Sequence, residues 1–203
     1  MTQVAAELKK LGPQLVNLKK DNKFAILVNT DSAKALSYMP VSDKVNYMTV
    51  LQQMYNALYD LNVEPDFVRA GDPSLSRYKV LLVPPLYSAS DQELQQVSDY
   101  VKNGGQVVMA FKSGFTNEYS TVRDVMAPGL LRDVAGFHYQ EFTNLAEPER
   151  LTPDPFNVGD QNEGSVWQEF LVPDTAEVVA SFDDPYWHFP AITRNRYGSG
   201  ALT

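Results

Sequence analysis

Cysteine is absent from the 203 residues. Without it the chain has no disulfide, no thiolate metal site and no cysteine nucleophile. Histidine is scarce: His138 and His188 stand fifty residues apart and form no ligand pair at zinc spacing. Basic residues are outnumbered, with 17 Lys and Arg against 25 Asp and Glu and a net charge of −8. Phosphate backbones are bound by clustered cations, so nucleic acid is not expected as a partner. No stretch approaches the roughly 20 apolar residues of a membrane span, and Met1–Glu7 lacks the basic-then-apolar layout of a secretory leader. Lack of cysteine does not fix the compartment; a cytoplasmic setting is only the default. No glycine follows the first apolar run at Asn29-Thr30-Asp31-Ser32-Ala33, which excludes a dinucleotide fingerprint or a P-loop there. No cofactor and no metal are expected.

What is present is an ordinary globular composition, 44% apolar, long enough for one α/β domain with a real core. Its centre is Tyr78–Phe111. Lys79-Val80-Leu81-Leu82-Val83 is too short for a helix and reads as a strand buried on both faces. Ser90-Asp91-Gln92-Glu93 is a capping box, Leu94, Val97 and Val101 form one apolar stripe, and Gly104-Gly105 end the helix. Gln106–Phe111 is a second buried strand. Strand, helix and strand make a βαβ unit and hence a parallel sheet.

Other elements flank this unit. Residues 2–20 read as a helix, or two broken near Gly12-Pro13, with Val4, Leu8, Leu11, Leu15 and Leu18 in helical spacing. Phe24–Val28 and Asp66–Arg69 read as strands, Ala33–Tyr38 as a helical turn, and Ser42 or Asp43 as the cap of a helix reaching about Leu61. A weak helix is expected over Ser120–Met126, a turn over Leu130–Ala135, and one strand over Phe137–Asn144. Residues 146–165 read as an exposed connection. Val166–Val172 and Glu177–Phe182 suggest a hairpin, followed by a strand over Ala191–Arg196. The chain then divides into a helical lead-in, residues 1–22, and one domain, residues 23–203. The expected strand order is 2-1-3-4-5 before an antiparallel extension over residues 166–203.

Candidates for chemistry are few. Ser113 follows a strand in Lys112-Ser113-Gly114, but this is not a Gly-x-Ser-x-Gly elbow and no histidine and acid follow in order. Glycoside hydrolysis needs two acids flanking a sugar; Glu118, Glu141, Glu163, Asp183 and Asp184 are available, and nothing in their spacing pairs two of them. Asp183-Asp184-Pro185-Tyr186-Trp187-His188 sets aromatics beside acids, which suits a sugar or an apolar contact with another chain. The residues alone leave three readings open. They are an assembly domain, a sugar or small-ligand module using the strand ends near Asp31, Pro85 and Asn117, and an enzyme with an unrecognised serine or carboxylate site.

Lys112-Ser113-Gly114-Phe115-Thr116-Asn117-Glu118-Tyr119 and Ala127–Gly136, with Pro190–Asn195 and Tyr197-Gly198-Ser199-Gly200 behind them, resemble the middle domain of glycoside hydrolase family 42 β-galactosidases. The resemblance covers roughly residues 8–203. It implies a flavodoxin-like, class I glutamine amidotransferase-like three-layer sandwich with a mainly parallel sheet and an antiparallel C-terminal extension. It also implies a trimerisation role, a parent enzyme whose catalytic glutamates lie in a separate barrel that binds the galactoside, and no catalytic residue here. Phe115, Asn117, Glu118, Tyr119, Tyr186 and Trp187 are the candidates for interface or cleft-lining residues.

Overall fold

A computed structural model describes residues 2–17 and 21–203. The helices are α1 (Thr2–Leu15), α2 (Thr30–Tyr38), α3 (Tyr47–Asp60), α4 (Asp91–Lys102) and α5 (Arg132–Ala135). The first strands are β1 (Phe24–Val28), β2 (Asp66–Arg69), β3 (Val80–Val83) and β4 (Gln106–Met109). Next come β5 (Phe137–His138), β6 (Phe142–Asn144), β7 (Glu149–Thr152), β8 (Glu163–Gly164) and β9 (Trp167–Glu169). The last are β10 (Val172–Pro173), β11 (Glu177–Phe182), β12 (Pro190–Tyr197) and β13 (Gly200–Leu202).

A nine-stranded sheet runs β2-β1-β3-β4-β13-β12-β11-β7-β8. The pairings from β2 to β13 are parallel and those from β13 to β8 antiparallel. Alternate residues of a strand face opposite sides, and both sides are covered. Ala25, Leu27, Leu81, Val83, Val107 and Leu202 pack with Leu94, Val97 and Val101 of α4 and Val134 of α5. Ile26 and Leu82 pack on the other side with Leu58 of α3. The α/β class and the order 2-1-3-4 hold. The fifth place goes to three residues at the far end of the sequence: β13 lies between β4 and β12, and the Thr203 carbonyl just after it accepts from the Met109 N–H at 2.8 Å.

Several elements differ from expectation, each for a local reason. α1 continues through Gly12 and Pro13 and ends at Leu15; Leu18 lies outside the described residues. α2 starts at Thr30, because the Asn29 side chain accepts from the Ser32 N–H at 2.7 Å. Asn46, and not Ser42 or Asp43, caps α3 by accepting from Thr49. Leu61 falls beyond that helix and is exposed. Residues 120–126 form no helix: the Asn117 carboxamide accepts from the Tyr119 and Thr121 N–H groups, both at 3.0 Å, and competes for the backbone. Phe137–Asn144 splits into β5 and β6, which join separate small sheets.

The expected hairpin does not form. Asp174 is held by Arg132 at 2.8 Å, and the Gly136 carbonyl accepts from the N–H groups of residues 174–176. These bonds draw β10 onto β5, while β11 pairs with β12 and β7. The connection over residues 146–165 is largely exposed but contributes β7 and β8 to the sheet edge.

Two glycines secure the β13 insertion. Gly104 follows α4 at φ +107, and a Cβ there would meet Ser199 only at an ordinary 3.8 Å, so its backbone conformation alone demands glycine. At Gly200 a Cβ would lie 2.2 Å from the carbonyl oxygens of both Gly105 and Val101. Gly104→Val is expected to destabilise by on the order of 1 kcal/mol or more, and Gly200→Ala by about 1–3 kcal/mol. Denaturant titration checks both; an unchanged midpoint in either contradicts the corresponding constraint.

Candidate functional site

Open α/β sheets place ligands at the carboxyl ends of their parallel strands, so the loops after β1, β3 and β4 are the first place to look. They are bonded to one another. The Ser32 hydroxyl donates to the Ser88 carbonyl at 3.0 Å and accepts the Ser88 N–H at 2.9 Å. Thr116 donates both its N–H and its hydroxyl to the Tyr87 carbonyl. Ser113 accepts from the Leu86 N–H at 3.1 Å and donates to the Ala110 carbonyl at 2.9 Å, and is buried. Its hydroxyl therefore ties two loops together and has no histidine as a base.

The elbow's main feature is Lys112. It adopts φ +56, a left-handed conformation unusual for a lysine, and its side chain is buried. Its Nζ lies 3.4 Å from the ring centroid of Phe115 and 3.2 Å from that of Phe142, with Trp167 at 5.1 Å. Its backbone N–H donates to Glu169 Oε1 at 2.9 Å. An aromatic cage attracts a cation through the ring quadrupoles. Here the cage is filled by the chain's own lysine, and it fastens the elbow to the β6–β9 pair. Burial lowers the Lys112 ammonium to about 8, against the opposing pull of Glu169. Burial also raises the Glu169 carboxyl, while Tyr139 and the Lys112 N–H favour its charged form. The Tyr139 hydroxyl is buried against Glu169 without an aligned hydrogen bond, and burial pushes it far up. A low-pKa lysine invites a nucleophilic reading. Nζ is packed against two rings and the residue is 3% exposed, so the geometry assigns this group to cohesion.

The residues singled out from the sequence fall into two places. Phe115 is partly buried, stacked on Tyr87 at 5.7 Å and edge-on to Phe142 at 5.9 Å. Asn117 is spent on the turn described above, whereas Glu118 and Tyr119 are exposed. Tyr186 and Trp187 sit on the loop between β11 and β12, 82% and 72% exposed. Asp184 Oδ1 accepts from both of their N–H groups, at 2.6 and 3.0 Å. Trp187 leans on Phe189, which stacks on Phe170 at 4.6 Å. Glu169, Phe142 and Trp167 escaped the sequence reading, because they lie 30 to 57 residues from Lys112 and share no local spacing with it. Among the described residues, no group of three or more His, Asp or Glu side chains is arranged to hold a metal ion.

Comparison with known proteins adds an independent line. Residues 22–203 match the family model described as the β-galactosidase trimerisation domain. β-Galactosidase BgaB of Geobacillus sp. (strain Y412MC61) is 34% identical over 203 residues, and BgaA of Clostridium cellulovorans is 27% identical over 199. Each match takes in 98% of this chain and 30% of the relative, so the chain spans under a third of their length. The crystal structure of β-galactosidase from Bacillus circulans sp. alkalophilus superposes with a TM-score of 0.88 at 27% identity, over 98% of this chain and 30% of that one.

The caged lysine sets a pH dependence. Its folded value of about 8 lies below the ordinary 10.5. Between these values the unfolded chain binds the extra proton, so this group's contribution to stability rises with pH across that window. Lys112→Met removes it. Melting temperatures measured from pH 7 to 10 are expected to show the native chain gaining on the variant above pH 8. Parallel curves contradict the burial of a titrating ammonium.

Proposed function

The chain belongs to the family of β-galactosidase trimerisation domains, and on that premise we propose that it is the non-catalytic assembly part of a longer family 42 glycoside hydrolase. That larger enzyme hydrolyses terminal β-galactosides with catalytic glutamates outside this sequence, and this domain joins its subunits and helps wall the neighbouring cleft. The observation that carries the non-catalytic reading is how the candidate nucleophiles at the carboxyl edge are engaged: Ser113 spends its hydroxyl on two loops. Lys112 beside it is locked between rings. A ligand module at this edge rests on Asp31 alone, which is exposed, since Pro85 is buried and the Asn117 carboxamide is engaged.

The fold is read as flavodoxin-like and glutamine amidotransferase-like. What supports this is the order β2-β1-β3-β4 with helices packed on both faces. Residues 1–22 are read as a lead-in from a preceding domain, supported by the exposed stripe of Val4, Leu8, Leu11 and Leu15 on α1. Tyr119, Tyr186 and Trp187 are the exposed aromatics offered to a neighbouring subunit, with Glu118 beside the first. Phe115 and Asn117 support that loop from within.

The purified 203-residue chain is expected to show no turnover of a chromogenic β-galactoside above a buffer blank. Measurable turnover that disappears in Glu118→Gln would place a catalytic acid in this domain and overturn the reading.

A further inference from the structure

We propose that the chain self-associates head to tail, with the Tyr186–Trp187 knob of one copy seated in an apolar cleft of the next. The proposal rests on the trimer reading above and names its surfaces. The cleft has a volume of about 640 Å³ and is walled by Val108, Phe156, Trp167, Phe182 and Ile192, with residues 110–113 after β4 along one side. It lies where the sheet passes from its parallel to its antiparallel half, and Val108 and Phe156 remain open to solvent there. Apolar concavities of this size are binding features.

Symmetry selects a second copy as the occupant. A self-complementary patch gives a dimer; a ring of three requires two different patches on each chain that meet heterologously. The loop between β11 and β12 supplies the convex patch. The end of β11 at Phe182 and the start of β12 at Ile192 supply walls of the concave one. Knob and cleft are therefore neighbours on one chain, an arrangement that suits a ring closing near its axis. The knob is also pre-ordered, by the Asp184 turn on one side and the Trp187–Phe189–Phe170 stack on the other. Ordering before contact lowers the cost of association. Tyr119 is as exposed but has no such support from a second ring. Aromatic side chains bury about 150–250 Å² each, so two supply a sizeable share of the roughly 800 Å² per partner of a standard interface.

The cysteine-free sequence makes the test clean, since an introduced thiol is the only one. Tyr186→Cys marks the knob and Phe156→Cys the cleft rim, and both positions are exposed. Each single variant, their mixture and the double variant are treated at high concentration with a short bis-maleimide. A lysine-reactive cross-linker is run in parallel to report association through any surface, and melting curves confirm folding. The mixture is expected to give a thiol-linked dimer, the double variant a ladder ending at three chains, and the single variants only background. Linkage within single variants would make the contact self-complementary and overturn the proposal. A lysine-linked trimer without thiol linkage, with Phe156→Cys still reactive to a monofunctional maleimide, overturns the knob and leaves the trimer reading standing. Absence of both ladders overturns the proposal, while the trimer reading of the longer enzyme is tested by that enzyme's own mass.

Discussion

The sheet is continuous because β13 sits inside it. Gly200–Leu202 pairs in parallel with β4 on one side and antiparallel with β12 on the other. Without those residues the parallel half, β2-β1-β3-β4, and the antiparallel half, β12-β11-β7-β8, have no common edge. Backbone bonds from Gly105, Val107 and Met109 hold the inserted strand. Leu202 is fully buried in the core shared with α4. The turn at Tyr197–Gly200 must therefore bring the strand in against the C-terminal end of α4, which is why side chains are barred at Gly198 and Gly200: a Cβ at Gly198 would lie 2.4 Å from the Lys102 carbonyl.

Function divides along the same seam. On the parallel side, loop hydrogen bonds and the Lys112 cage tie together the loops where α/β sheets ordinarily hold ligands, and the segment after β4 forms one wall of the cleft. On the antiparallel side, the β11–β12 loop projects its aromatics into solvent beside an apolar cleft. Cohesion is concentrated at the first place and unsatisfied apolar surface at the second. A buried ammonium with a depressed pKa contributes less stability than a well-packed apolar side chain of similar size. What the caged lysine provides is a fixed attachment of the elbow to β6 and β9, so the flanking segments keep their position relative to the sheet.

Much of the parallel half was legible because its signals are local. The Ser90–Glu93 capping box, with Ser90 accepting the Glu93 N–H and Glu93 accepting that of Ser90, forms as read. Gly104 takes the positive φ that ends α4. β1, β2 and β11 stand where their apolar runs lie. The misread elements are those set by contacts distant in sequence. β10 turns toward β5 because Asp174 meets Arg132 and His138, about forty residues earlier. β13 is three residues long, and no periodicity marks so short a run as a strand. The site divides in the same way. The grouping of Tyr186 and Trp187 beside acids was visible as composition, whereas their exposure, and the cage that joins Lys112, Phe142 and Trp167, depend on tertiary packing.

The central claim is that this domain assembles subunits through its own surfaces. Sedimentation equilibrium of the 203-residue chain over a wide concentration range tests it most directly. The account predicts data that fit a monomer in exchange with a species of three chains, and nothing larger. A single species of one chain at every concentration, or a dimer, contradicts it.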